Sequence, residues 1–151
     1  MDLQHAFEIM QQTLEDLSKE NQQIPIIVEG EKDVAALRKL NITGTIITIN
    51  TGKSLIDFSD AIAREYKTVI ILTDWDRKGG FLCRTLLTNL AGRVNCITIY
   101  RELLAKHTMV KTIEGLPSYI SKMQKQIMQT KNQTLPGNPH LITSKNINKL
   151  K

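Results

Sequence analysis

Asp74 and Asp76 stand two positions apart in Leu72-Thr73-Asp74-Trp75-Asp76-Arg77-Lys78-Gly79-Gly80, directly after an apolar run. At an extended strand end, residues two apart leave the chain on the same side, so these carboxylates repel each other. A divalent cation relieves the repulsion. Hard oxygen ligands suit Mg²⁺, which keeps several waters and takes one or two carboxylates plus substrate phosphate. A third acid, Glu29, directly follows Ile26-Ile27-Val28 and is itself followed by Gly30. Gly79 and Gly80 allow a sharp turn into a helix whose N-terminus favours an anion. Lys32, Lys53, Arg77 and Lys78 add positive charge near the same strand ends. Taken alone, Asp-x-Asp is more often a solvated loop with an aspartate helix cap, because such short patterns are common. The combination with Glu29 carries more weight, because the three acids converge if their two strands are neighbours. Asp33 and Glu31 lie at a helix start, where acids are favoured by the dipole alone. Asp33 is assigned a supporting role and Glu31 a solvated one. Trp75, between the aspartates, either stacks on a base or packs against a neighbouring helix, the ordinary fate of an indole at a strand end.

The elements that must position these residues follow from periodicity. Leu3, Phe7, Met10, Leu14 and Leu17 mark one face of an amphipathic helix over residues 2–20. Runs rich in β-branched residues at 26–28, 45–49, 68–72 and 94–99 read as strands. The third is apolar on both faces, which predicts a parallel sheet covered on both sides. Helices are expected at 32–40, at 54–66 with Ser54 as N-cap, and at 80–90. Alternating strands and helices build crossovers on a parallel sheet, where binding groups collect beyond the carboxyl ends of the strands. After Tyr100 the pattern loosens, and a last helix is expected from Pro117 to about Thr130. The organisation read from this is an N-terminal helix (1–22) packed on the domain, an α/β domain (23–130) and a flexible basic tail (131–151).

Bulk properties set the limits. With 151 residues and 41% apolar content, the chain has material for one compact core. No apolar run approaches the ~20 residues of a membrane span, and the first residues carry no signal-peptide pattern, so a soluble cytoplasmic protein is expected. Cys83 and Cys96 lack metal-site spacing and read as small hydrophobes. His5, His107 and His140 are scattered and have no assigned role. A net charge of +5 suits a polyanionic partner. Much of that excess sits in Lys131, Lys145, Lys149 and Lys151, as either a tether or a solvated tail.

Ile26-Ile27-Val28-Glu29-Gly30-Glu31-Lys32-Asp33, the Gly52 loop, and Ile70-Ile71-Leu72-Thr73-Asp74-Trp75-Asp76-Arg77-Lys78-Gly79 together resemble the Toprim domain. That domain is shared by topoisomerases, bacterial-type primases, OLD-family nucleases, recombination-repair proteins and the ribonuclease that matures 5S rRNA. The resemblance covers about residues 24–100, and the small chain looks most like archaeal Toprim-only proteins. It implies a Rossmann-like, four-stranded parallel sheet flanked by helices. It also implies Glu29 as general acid/base or metal ligand, Asp74 and Asp76 as the Mg²⁺ pair with Mn²⁺ as a substitute, and Gly30 and Gly79 as turn glycines. Gly30, Lys32, Gly52, Lys53, Arg77, Lys78 and Gly79 form the expected phosphate-binding set. To shuttle a proton, Glu29 needs a pKa lifted by burial or by neighbouring carboxylates. The function implied is Mg²⁺-dependent phosphodiester hydrolysis by a nuclease, with RNA favoured over DNA, acting alone, as a homodimer or within an RNA-processing complex. The alternative is a non-catalytic nucleic-acid-binding module or accessory factor in replication, repair or RNA processing. Tyr66, Tyr100 and Tyr119 have ordinary helix or strand settings, which argues against a tyrosyl-DNA link. A haloacid-dehalogenase or receiver reading fits less well, since the aspartates follow the third strand and Lys78 stands where that motif wants Thr or Val.

Overall fold

The computed structural model describes residues 2–134. Its elements are α1 (Leu3–Glu20), β1 (Ile26–Val28), α2 (Glu31–Lys39), β2 (Ile46–Thr48), α3 (Leu55–Glu65), β3 (Thr68–Ile71), α4 (Arg77–Leu90), β4 (Asn95–Ile97), α5 (Ile99–His107) and α6 (Leu116–Thr134). The four strands form one parallel sheet in the order β2-β1-β3-β4. Alternation along the central strands divides the core. Ile26, Val28, Ile70 and Leu72 face a cluster completed by α1, α2, α5 and α6. Ile27, Val69 and Ile71 face one completed by α3 and α4. A sheet buried on both faces needs both phases of each strand to be apolar, as the sequence of β3 is.

The connection through α2 runs outward to β2 on one face, whereas α3 and α4 carry the chain back across on the other. Crossovers of one handedness require this change of face when the direction of travel reverses. The reversal lies between β1 and β3.

Four elements depart from the sequence reading. Helix α4 begins at Arg77, capped by the Asp76 carboxylate, so Gly79 and Gly80 lie inside its first turn and not before it. Strand β4 ends at Ile97, and Ile99, read as strand, opens an unanticipated helix, α5. Helix α6 continues to Thr134, taking in residues 131–134 that were assigned to the tail. The rest of that basic segment, with Lys145, Lys149 and Lys151, lies outside the described residues. Among those described, no helix is long and apolar enough to cross a membrane.

Candidate functional site

Strands β1 and β3 pair in register, Ile26 with Ile70 and Ile27 with Ile71, so their carboxyl ends emerge side by side at the point where the sheet order reverses. Such a crevice is where open α/β sheets bind ligands. Glu29 reaches across it, its Oε2 accepting from the Asp74 backbone N–H at 2.9 Å. Asp74 Oδ1 accepts from the Ile113 N–H at 2.8 Å. Asp76 Oδ1 accepts from the Gly79 N–H at 2.7 Å. Each acid is thus aimed by one backbone donor, and one oxygen from each of the three lies within 4.8 Å of the other two.

Burial pushes the Asp74 carboxyl up to about 7; its bond from Ile113 opposes this, and the carboxylates of Glu29, Asp33 and Asp76 add to it. Asp33 is buried and likewise raised, first by that burial, against a hydrogen bond from Gly30, and further by Glu29 and Glu114. The nearest counter-charge is weak: Lys78 Nζ lies 3.9 Å from Glu29 Oε1 on a largely exposed side chain. Concentrated hard-oxygen charge, clamped by backbone and with Lys78 as its one ion-pair partner among the described residues, fits a divalent metal held by Glu29, Asp74 and Asp76. Asp74 and Asp33 are the carboxyls here whose hold on the proton is strengthened.

Beside the acids runs a groove of about 780 Å³, lined by Glu29, Gly30, Glu31, Lys32, Asp33, Gly52, Lys53, Asp74 and Lys78, with Glu114 and the apolar Ile49, Leu55 and Leu82 among the rest. Gly52 has φ +82°, which favours glycine. At Gly30 the backbone is extended, and an added Cβ would meet nothing within 4 Å, so its bare backbone leaves the groove open. Gly79 is different. It is buried and lines no part of the groove, and a Cβ there would overlap the Asp74 carbonyl. Its smallness lets α4 close against the strand end, a packing role in place of a turn or phosphate contact. Arg77 is exposed and also stands outside the groove lining. Asp33 Oδ2 accepts from the Gly30 N–H at 3.1 Å, pinning the turn after β1. Trp75 packs on the core and donates its indole N–H to Val110 O at 2.6 Å.

Sequence reasoning missed the braces contributed by residues 101–114. Arg101 donates through Nε to Thr73 O at 3.0 Å and through Nη2 to Asp74 O at 2.8 Å. The segment after α5 supplies the Ile113 N–H, the acceptors for Trp75, and Glu114 at the groove. The buried pair Tyr100 and Leu104, one helical turn apart, was the available signal for α5.

A profile of the Toprim domain matches residues 24–113. UPF0292 protein TV1259 of Thermoplasma volcanium is 42% identical over 111 residues, covering 72% of this chain and 93% of its own. UPF0292 protein MJ1624 of Methanocaldococcus jannaschii is 33% identical over 119 residues, covering 77% and 93%. Among solved structures, a protein from Aquifex aeolicus superimposes with a TM-score of 0.61 at 26% identity, covering 70% of this chain and 95% of that one.

Proposed function

Since the chain belongs to the Toprim domain family, with its nucleic-acid and divalent-metal chemistry, we propose that it is a nuclease. It hydrolyses phosphodiester bonds with Mg²⁺ held by Glu29, Asp74 and Asp76, and RNA is the favoured substrate. The observation that carries this reading is the meeting of three backbone-clamped carboxylates at the β1/β3 switch point, beside an open groove. When bound, the metal supplies neutralising charge at the attacked phosphate.

The chain's own groups do the rest. Lys32, Lys53 and Lys78 line the groove and attract the phosphates of the strand. Bare backbone at Gly30 and Gly52 lets the strand approach closely. Glu29 Oε2 accepts from the Asp74 N–H and keeps a second lone pair for the metal, which leaves Oε1, near Lys78, as the oxygen that takes the proton from the attacking water. The water oxygen bonds to phosphorus as the bond to the leaving oxygen breaks, and the leaving oxygen takes a proton from solvent. At about 780 Å³ the groove falls in the ~300–1,000 Å³ range of ligand clefts and accommodates a short stretch of one strand.

The test incubates the purified protein with labelled structured RNA and matched DNA, in Mg²⁺ and in EDTA. Cleavage of RNA in Mg²⁺ is expected, reduced at least a hundredfold in Glu29→Gln and Asp74→Asn, on the order of the loss when one transition-state stabilising group is removed. Undiminished cleavage by either variant rejects the assignment. Binding without turnover by the wild type points instead to the non-catalytic module.

A further inference from the structure

Next to the carboxylates, but outside the groove, two cations converge with no ion-pair partner among the described residues, Glu102 being the acid that acts with them on Cys83. The empty Cβ position of Gly80 lies 3.3 Å from Arg84 Nη1 and 3.7 Å from Arg101 Nη2. Neither guanidinium makes an ion pair among the described residues, and the Arg84 side chain has no hydrogen-bond acceptor there. Like charges gathered over one point repel unless an anion joins them. Glycine inside a helix is itself unfavourable, and nothing in the backbone requires it here, because the φ of Gly80 is not positive. Unlike Gly79, it is not forced by overlap with backbone. What its missing side chain does leave is an unfilled Cβ position that both guanidinium groups approach. Beside it, Phe81 is 57% exposed, an aromatic face open to solvent on a helix with three cations, Arg77, Lys78 and Arg84, and no acid.

We propose that Arg84 and Arg101 seat a phosphate over Gly80, and that Phe81 stacks on the adjoining base of an unpaired nucleic-acid strand. Paired guanidinium groups match phosphate oxygens, and a base in a duplex is already stacked and unavailable to Phe81. Arg101 also holds the Asp74 carbonyl, so the seat is coupled to the strand end that carries the acids. The inference rests on the nucleic-acid reading above and adds to it a requirement for single-stranded character beside the cleaved bond.

The full chain in EDTA, where hydrolysis is absent, is titrated with fluorescent single-stranded and duplex oligonucleotides of RNA and DNA. Arg84→Gln is expected to weaken single-strand binding about tenfold and to reduce the slope of log affinity against log salt by about 0.7, one phosphate contact. Phe81→Ala should weaken single-strand binding between about fivefold and a hundredfold and leave duplex binding unchanged. Gly80→Ala should raise the melting temperature yet weaken binding, a pairing that a packing role does not produce. Wild-type affinity in Arg84→Gln, or equal losses on single strand and duplex in Phe81→Ala, overturns the proposal. The two readings fail separately. Loss of the seat leaves Glu29-dependent cleavage standing, whereas absence of Mg²⁺-dependent cleavage with Arg84-dependent binding intact removes the nuclease and keeps the seat.

Discussion

Asp74 carries the clearest conflict between stability and site. Its carboxyl, ordinarily near 3.8, is raised to about 7 in the fold, first by burial. A group raised in this way contributes its full stability below the unfolded value and loses it as pH rises through the folded one. Ionised Asp74 therefore weighs against the metal-free fold at pH 8 and not at pH 4. Asp74→Asn keeps the Oδ1 that accepts from Ile113 and removes the charge. In EDTA at pH 8 it should melt a few degrees higher than wild type, about 1–2 kcal/mol after allowance for solvent screening of a half-buried group, with the advantage gone at pH 4. Added Mg²⁺ should stabilise only the wild type. Thermal melts at the two pH values check all three. The glycines separate in the same way. Gly79→Ala drives a Cβ into the Asp74 carbonyl and should destabilise by about 3 kcal/mol or more in a denaturant titration. Gly30→Ala should be nearly silent in that titration and raise KM, since its Cβ projects into open groove.

At the scale of elements, the segment between α5 and α6 acts as a clamp. It holds Trp75 through Val110 O and Lys111 O and returns the Ile113 N–H to Asp74. Trp75→Phe keeps most of the apolar contact and deletes the 2.6 Å bond from the indole. The expected cost is about 1 kcal/mol of stability, with faster hydrogen exchange at the Ile113 amide and a lower kcat. Unchanged exchange at Ile113 shows that the clamp does not depend on the indole.

For the whole molecule, α1 is structural. Met10 and Leu17 are fully buried against the sheet face shared with α5 and α6, so Leu17→Ala should cost about 3–5 kcal/mol, read by chemical denaturation. At the same junction, burial and the carboxylates of Glu20 and Asp16 raise the Tyr100 hydroxyl from 10 to about 12. Neutral Tyr100 stabilises the fold fully below pH 10, and that contribution disappears as pH rises through 12. Relative to Tyr100→Phe, the wild type should lose about 1–2 kcal/mol across this window, with melting curves as the measure.

The signals legible in the chain itself were short-range: apolar residues on both phases of β3, the Ser54 cap, and acids placed directly after two strands. These signals identify a parallel α/β sheet and single out Glu29, Asp74 and Asp76. Long-range packing places β1 beside β3 and sets which backbone donors catch the carboxylates. The decisive bonds, Glu29 to Asp74 and Asp74 to Ile113, span 45 and 39 residues. No local pattern encodes a partner that far along the chain. Helix α5, with Arg101, was hidden for a related reason: Ile97-Thr98-Ile99 alternates like a strand, and only packing of Tyr100 and Leu104 into the core ends β4 at Ile97.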